Sequence, residues 1–139
     1  MMVLDTNVLS ELMRPEPDPT VIRWVSKQPV LSLYTTSITQ SEIYHGILRL
    51  PKGKRKENLW TAACQIFSED FKGRVLSFST ETAHPYAQLV VERAQAGRPI
   101  SGFDAQIAAI TACHGATIVT RNVSDFELCG VDIINPWKT

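Results

Sequence analysis

The sequence predicts an α/β domain with a mostly parallel central sheet and helices on both faces. Short β-branched, apolar runs alternate along the chain with longer segments of helical periodicity. This alternation is typical of parallel strands that are joined by right-handed crossover helices. A chain of 139 residues, 44% of them hydrophobic, can bury one sizeable core. We therefore expect one three-layer domain over residues 1–139.

The first half of the chain is predicted to contain three strands and four helices. Val3 and Leu4 form a short buried strand that delivers Asp5 to the start of an amphipathic helix. Pro19 opens a second helix, which ends before Pro29. The remaining elements of this half are a strand over 30–36, a helix from residue 39, a basic connector over 51–56, a helix over about 57–71 and a strand over 75–78.

The second half is predicted to contain two helices followed by two strands. The first helix has Pro85 near its start and Gly97 just past its end. The second helix opens at Ser101 and is closed by Gly115. The strands are the apolar runs 116–120, expected at the centre of the sheet, and 131–134.

Composition excludes several classes of protein. Lysine plus arginine equals aspartate plus glutamate at 14 each, so overall charge does not indicate a nucleic-acid-binding surface. An anionic substrate would have to be met by a local patch or by a metal ion. No apolar run approaches the roughly 18 residues of a membrane span, and we find no signal peptide. The expected location is the cytoplasm, without membrane contact.

Cysteine, lysine and tryptophan usage adds little functional information. Cys64, Cys113 and Cys129 are widely spaced and form no C-x-x-C pair, which argues against a disulfide framework and against a zinc site. The basic run over 52–56 has two open interpretations, a grip on a nucleic-acid backbone or a solvated connector. The three tryptophans are expected to serve packing or interfaces rather than base stacking.

Four acidic residues fall at predicted corners between elements. Asp5 ends the first strand, and Glu42 lies in the first turn of the helix after the second strand. Asp104 opens the helix before the fourth strand, and Asp125 follows that strand. Ligands bind beyond the carboxyl ends of the strands in open α/β sheets, so these acids are candidates for one functional crevice.

Helix capping is an alternative explanation for each acid. Asp5 can be a plain N-cap, while Thr39-x-x-Glu42 and Ser101-x-x-Asp104 match capping boxes. Asn122-x-x-Asp125 can cap a short turn in the same way. Helix starts gather on one face of an α/β sheet in any case, so the sequence leaves both interpretations open.

A shared metal site would give the same acids a chemical role. Neighbouring carboxylates repel one another unless one is protonated or a cation lies between them. Oxygen-only ligands suit Mg²⁺ or Mn²⁺ rather than zinc. Two such ions roughly 4 Å apart can bind a phosphodiester, activate water and stabilise the leaving oxygen. Helix amino termini favour both ionised acids and a bound phosphate.

The motifs around these acids resemble those of PIN-domain nucleases. The resemblance rests on Leu4-Asp5-Thr6-Asn7, on Ser41-Glu42, on the run 103–109 and on Thr120-Arg121-Asn122-x-x-Asp125-Phe126. More narrowly, the chain is similar to VapC-type toxins of bacterial toxin–antitoxin pairs, in the FitB-like or plasmid-stability StbB-like subgroup. The ending 134–137 is similar to the ending of that subgroup, and the resemblance covers the whole chain in order.

The resemblance implies a PIN-like fold and an RNA-cleaving enzyme that depends on Mg²⁺ or Mn²⁺. Asp5, Glu42 and Asp104 match the three main acids of the family. The fourth acid varies in place within the family, and we assign it to Asp125 rather than to the amide of Asn122. The residues expected to give polar support around the acids are Thr6, Asn7, Thr120 and Asn122.

The resemblance also implies two protein partners. One is a second copy of the chain in a homodimer. The other is a cognate antitoxin that wraps the toxin and puts a segment in or beside the acidic crevice. Promoter DNA would be bound only through the antitoxin, because the chain carries no DNA-reading motif of its own.

Two other functions compete with metal-dependent RNA cleavage. A phosphatase with an aspartyl nucleophile would need a second acid two residues after Asp5, where the chain has Asn7. A non-catalytic PIN-like binding or regulatory module, acting with a DNA-binding partner, would keep the fold and use the acids only as caps. A capping role tolerates Asn with little change in stability, so Asp104→Asn would separate a cap from a metal ligand.

Overall fold

A five-stranded sheet, parallel throughout, forms the centre of the computed structural model, which describes residues 1–139. The strands are β1 (Met2–Leu4), β2 (Leu33–Thr36), β3 (Val75–Leu76), β4 (Thr117–Val119) and β5 (Asp132–Ile134). The helices are α1 (Thr6–Leu12), α2 (Pro19–Ser26), α3 (Ser37–Leu48), α4 (Lys54–Gln65), α5 (Thr80–Gln95), α6 (Gly102–Cys113) and α7 (Val123–Phe126). None of these helices has the length and apolarity needed to cross a membrane.

Helices cover both faces of the sheet, as the sequence predicted. Successive side chains of a strand point to opposite faces, and β1 and β4 are apolar on both. Val3 and Ile118 lie in the core formed with α5 and α6, whereas Leu4 and Val119 lie in the core formed with α1 to α4. All four side chains are 0–1% exposed. The three-layer α/β prediction is therefore confirmed.

The middle of the sheet differs from the sequence prediction. The strand order is β3-β2-β1-β4-β5, so the central strand is β1, and β4 is its neighbour. The expectation that 116–120 forms the centre is wrong by one position. Both strands have the same two-sided apolar pattern because both are flanked by strands and covered on both faces. Pattern alone does not distinguish them.

Several element boundaries also differ from the predictions. Helix α3 begins at Ser37 rather than at residue 39, strand β3 ends at Leu76 rather than at 78, and the expected turn after β4 is the short helix α7. Strand β2 begins at Leu33, because Val30–Ser32 form a turn of 3₁₀-helix instead of extended chain. Helix α4 begins at Lys54, inside the predicted basic connector, because lysine and arginine are good helix formers. Its C-terminal end continues as the π-helical turn Ile66–Asp70.

The strand order reverses at the carboxyl ends of β1 and β4. From β1 the chain moves outward to β2 and β3, then returns through α5 and α6 to build β4 and β5 on the other side. The two strand ends are joined by a hydrogen bond from the Asp5 backbone N–H to the Val119 carbonyl at 2.9 Å. A reversal of this kind opens a crevice, because the following segments leave in opposite directions.

Truncation of Ile118 tests the buried core beneath the sheet. Ile118 is 0% exposed, so Ile118→Ala should lower the free energy of unfolding by about 2–5 kcal/mol, measured by urea denaturation. Ile22→Ala is the matched control. Its side chain is 44% exposed, and its loss should cost less than about 1 kcal/mol. Equal effects of the two substitutions would contradict the described core.

Candidate active site

An acidic cavity of ≈ 500 Å³ opens where the strand order reverses. The charged side chains that line it are the carboxylates of Asp5, Glu11, Glu42 and Asp104 and the guanidinium groups of Arg14 and Arg121. Three of the four predicted acids are thus brought together. They come from the N-cap of α1, the second turn of α3 and the first turn of α6, which converge on this edge of the sheet.

Asp5 is the most deeply buried acid of the cavity. It is 4% exposed and is the N-cap of α1, where its Oδ1 accepts the Thr6 backbone N–H at 2.8 Å. Its Oδ2 accepts a hydrogen bond from Thr120 Oγ1 at 2.7 Å and another from Asn7 Nδ2 at 3.1 Å. Asp5 therefore caps α1 and also lines the cavity, so the capping role and the position in a crevice are compatible.

Thr120 is the centre of the polar network behind the acids. Its fully buried hydroxyl donates to Asp5 and accepts from Asn7 Nδ2 at 3.2 Å and from the Asn122 backbone N–H at 3.1 Å. Asn7 Oδ1 in turn accepts the backbone N–H of Arg121 at 3.1 Å. The network therefore ties the segment after β4 to the start of α1.

Glu42 does not cap its helix. The N-cap of α3 is Thr36, whose Oγ1 accepts the Thr39 backbone N–H at 3.1 Å. The Thr39-x-x-Glu42 capping box is therefore wrong, and Glu42 lies in the second turn of α3 rather than the first. Its Oε1 instead accepts a hydrogen bond from Thr6 Oγ1 at 2.7 Å. This contact aims the carboxylate toward α1 and the cavity.

The acids of the cavity influence one another electrostatically. The pKa of Asp5 is raised from 3.8 to about 6. Burial raises this pKa most, hydrogen bonds from Thr120 and Thr6 lower it, and the charges of Asp104 and Glu42 add to the increase. Burial also raises the pKa of Asp104, which is half-buried at the start of α6, and the charge of Asp125 adds to this effect. A cation between these carboxylates would relieve their repulsion.

The donor atoms of the cavity fit a partly hydrated divalent cation. No three acidic, histidine or cysteine side chains form a ready-made metal cluster in the structure. Apart from Arg14, Arg121 and Trp137, the lining residues nevertheless carry oxygen atoms on carboxylates, hydroxyls and amides. Mg²⁺ is commonly bound by one or two carboxylates and keeps several waters, so it does not require a closed cage of protein ligands.

The structure separates the two candidates for the fourth site residue. Asn122 lines the cavity, whereas Asp125 is half-buried in α7 and outside the lining, although its charge acts on Asp104. Asn122 precedes α7 but makes no capping hydrogen bond with its side chain, so the Asn122-x-x-Asp125 capping alternative is wrong. The assignment of the fourth acid to Asp125 stays a prediction.

Sequence analysis missed Glu11, the fourth carboxylate of the cavity. Glu11 is 7% exposed and is held by Arg14 Nη1 at 3.1 Å and by the Asp18 backbone N–H at 3.0 Å. A signal was present in the sequence. Asn7, Ser10, Glu11 and Arg14 follow the i, i+3, i+4, i+7 spacing of one helix face, over α1 and the two residues after it. The sequence analysis gave a supporting role only to Asn7, whereas all four residues line the cavity.

Sequence analysis also missed Arg93, a buried cation beside the site. It is 4% exposed, although it forms no ion pair. Its Nη1 donates to the carbonyls of Asp125 at 2.9 Å and Glu127 at 2.7 Å, and its Nε donates to the Arg98 carbonyl at 2.6 Å. Arg93 therefore fixes the backbone of the segment that carries Asp125. The periodicity of α5 carried a signal, because Arg93 lies four residues after the buried Leu89 on the same helix face, but its charge is typical of an exposed residue.

Comparisons with known proteins give the same assignment over the whole chain. The PIN domain family model matches residues 2–127. The VapC ribonuclease Y4jK of Sinorhizobium fredii is 39% identical over 138 residues, which is 99% of each chain. Toxin FitB of Neisseria gonorrhoeae is 35% identical over 137 residues, also 99% of each chain.

Solved structures agree with the sequence relatives. The crystal structure of FitAcB from Neisseria gonorrhoeae contains a chain that matches with a TM-score of 0.94 at 34% identity, and 100% of each chain is covered. The structure of FitAB bound to an IR36 DNA fragment matches equally well, with 100% of this chain and 97% of the other covered.

An all-parallel three-layer domain with several acids at its strand-order reversal defines a class of α/β proteins that bind ligands at that edge. Within this class, the chain belongs to the PIN-domain family. The resemblance found in the sequence motifs is therefore confirmed.

The raised pKa of Asp5 predicts a pH dependence of stability for the metal-free protein. Between about pH 4 and pH 6, the folded chain holds a proton on Asp5 that the unfolded chain has lost. The free energy of unfolding should therefore fall as pH rises through this window, by on the order of 3 kcal/mol from this residue. Urea denaturation in EDTA at several pH values measures the effect. Asp5→Asn cannot titrate and should lose this part of the dependence, so parallel curves for the two proteins would contradict the assignment.

Proposed function

We propose that this protein is a metal-dependent endoribonuclease and acts as the toxin of a toxin–antitoxin pair. The observation that carries the proposal is the convergence of Asp5, Glu42 and Asp104, from three separate helices, on one cavity. The fold alone does not specify a reaction. The ribonuclease and toxin names of relatives that match over nearly the full length favour this one.

Asp5, Glu42 and Asp104 would hold the cation, with Asp125 as the fourth acid. Thr6 and Thr120 donate to Glu42 and Asp5 and so keep these carboxylates oriented before any ligand arrives. When bound, Mg²⁺ or Mn²⁺ would supply Lewis acidity for the hydrolysis of an RNA phosphodiester. The amino termini of α1 and α6 would add a favourable field for the phosphate.

The proposed partners are a second copy of the chain and a cognate antitoxin. The matching FitAB structure is described as bound to a DNA fragment. This chain has no DNA-reading motif of its own. We therefore infer that promoter DNA is bound through the antitoxin.

A second cavity supports a docking position for the antitoxin beside the acidic one. It measures ≈ 690 Å³, and its apolar lining includes Ile43 and Ile47 of α3 and Leu59 of α4. Thr6 and Glu42 line both cavities, so the two cavities lie side by side. An antitoxin segment with apolar side chains and one basic residue would fill this groove and pair with the acids.

Cleavage of RNA by the purified chain tests the proposed activity. With Mg²⁺ or Mn²⁺ the wild-type protein should cut single-stranded RNA, and with EDTA it should not. Asp5→Asn and Asp104→Asn should each lower the cleavage rate by at least about 100-fold while the protein stays folded by circular dichroism, because each removes a charge that binds the cation. Gel analysis of the fragments measures the rate.

Asp132→Asn is the matched control for these variants. Asp132 is exposed at the start of β5, away from the carboxyl ends of the strands, and its substitution makes the same chemical change. Its activity should equal that of the wild type. Full activity in Asp104→Asn would favour the alternative of a non-catalytic module in which the acid is only a cap.

Separate substitutions at 122 and 125 test the fourth site residue. Asp125→Asn should lower cleavage strongly and raise the metal concentration needed for half-maximal activity, since it removes a negative charge near Asp104. Asn122→Ala should have a smaller effect, because a neutral amide is a weaker ligand. If Asn122→Ala raised the required metal concentration more than Asp125→Asn did, Asn122 rather than Asp125 would be the fourth site residue.

A further inference from the structure

Arg121 is an unpaired cation in an acidic cavity. Two guanidinium groups line this cavity, and Arg14 is bound by Glu11 with an N–O distance of 3.1 Å. Arg121 forms no ion pair, although four carboxylates line the same space. Its positive charge is therefore not used to neutralise the acids of the folded chain.

Arg121 is held in place without using its hydrogen-bond donors. The carbon centre of its guanidinium lies 4.9 Å from the centroid of the Trp137 ring, which is a cation–π contact. Trp137 packs against the core, and its backbone N–H donates to Asn135 Oδ1 at 3.0 Å. The backbone N–H of Arg121 is fixed by Asn7. The side chain of Arg121 makes no hydrogen bond, so the edge of the guanidinium is left free while its face is occupied.

A guanidinium with an occupied face and a free edge is suited to a phosphate. The N–H fork matches two phosphate oxygens, and stacking on an aromatic ring pre-orders the fork before the ligand binds. A polyanion that enters a cavity lined by four carboxylates also needs a positive charge near its path. Trp137 is itself not open for base stacking on this face, because the guanidinium covers it.

We propose that Arg121, held on Trp137, is the subsite for a backbone phosphate of single-stranded RNA next to the cleaved bond. This inference rests on the proposed ribonuclease function and names a residue that would contact the substrate. Arg121 would bind and orient the RNA strand, while Asp5 and its neighbours would carry out the hydrolysis.

The salt dependence of RNA binding tests the subsite. The probe is a fluorescently labelled single-stranded oligoribonucleotide, and its affinity is measured by anisotropy in EDTA at several salt concentrations. Each phosphate contact in a single strand contributes about 0.7 to the slope of log affinity against log salt. Arg121→Gln should therefore reduce the slope by about 0.7. Arg121→Lys should keep the slope, because the charge remains, and should bind less tightly, because the fork is lost.

Arg23→Gln is the control for a general change of charge. Arg23 is exposed on α2 and does not line the cavity, so its loss should leave the slope unchanged. An equal loss of slope in both glutamine variants would overturn the subsite. An unchanged slope in Arg121→Gln would overturn the subsite as well.

The failure of this inference can be told apart from the failure of the proposed function. If the wild type cuts RNA with Mg²⁺ or Mn²⁺ and Arg121→Gln shows the wild-type slope, only the role of Arg121 is overturned. If the folded wild type neither binds nor cuts RNA, both proposals are overturned.

Discussion

The burial of one carboxylate, that of Asp5, is the constraint on which the site depends. A carboxylate that is 4% exposed has lost its water and must find donors, a proton or a cation. The chain supplies donors from the Thr6 backbone, the Thr120 hydroxyl and the Asn7 amide. These contacts join α1 to the segment after β4. The same interactions that make the burial tolerable therefore also align the two strand ends that frame the cavity.

Donors satisfy the oxygens of Asp5 but do not remove the repulsion around it. The charges of Asp104 and Glu42 still raise its pKa, and burial raises it more. The acid is held in one orientation at a cost in stability, which is typical of groups prepared for a ligand. Stability and function thus oppose each other at this one residue, and the two cores on either side of β1 provide the stability.

Sequence patterns predicted the layers and most of the elements, because these follow from local periodicity. Asp5, Glu42 and Asp104 could be placed near one another because helix starts gather at one edge of a parallel sheet. The sequence could not show which of β1 and β4 is the central strand of the sheet, since both are apolar on both faces. It could not show that Glu42 is no cap, because that depends on where α3 begins, one residue after Thr36.

The roles of residues that depend on contacts between distant parts of the chain could not be predicted from the sequence. Glu11 reads as a surface residue until its partners Arg14 and Asp18 are known. Arg93 has the charge expected of a solvent-exposed residue, whereas it donates hydrogen bonds to carbonyls that lie more than 30 residues further along the chain. The choice between Asn122 and Asp125 depends on the path of a short loop, and the motif alone does not fix that path.

The contacts of Arg93 have a consequence for how this loop can change during evolution. Arg93 holds main-chain carbonyls at 125 and 127, and Arg98 holds the carbonyl at 124. The pair between Arg98 and the Glu127 side chain is exposed, and exposed pairs contribute little. Residue identity matters at two positions of the segment, because Phe126 is 0% exposed in the core and Cys129 Sγ lies 3.8 Å from Arg93 Nη1. The other positions are anchored mainly through the main chain. They can therefore exchange side chains, and an acid can move from one of them to another, while the course of the loop stays the same.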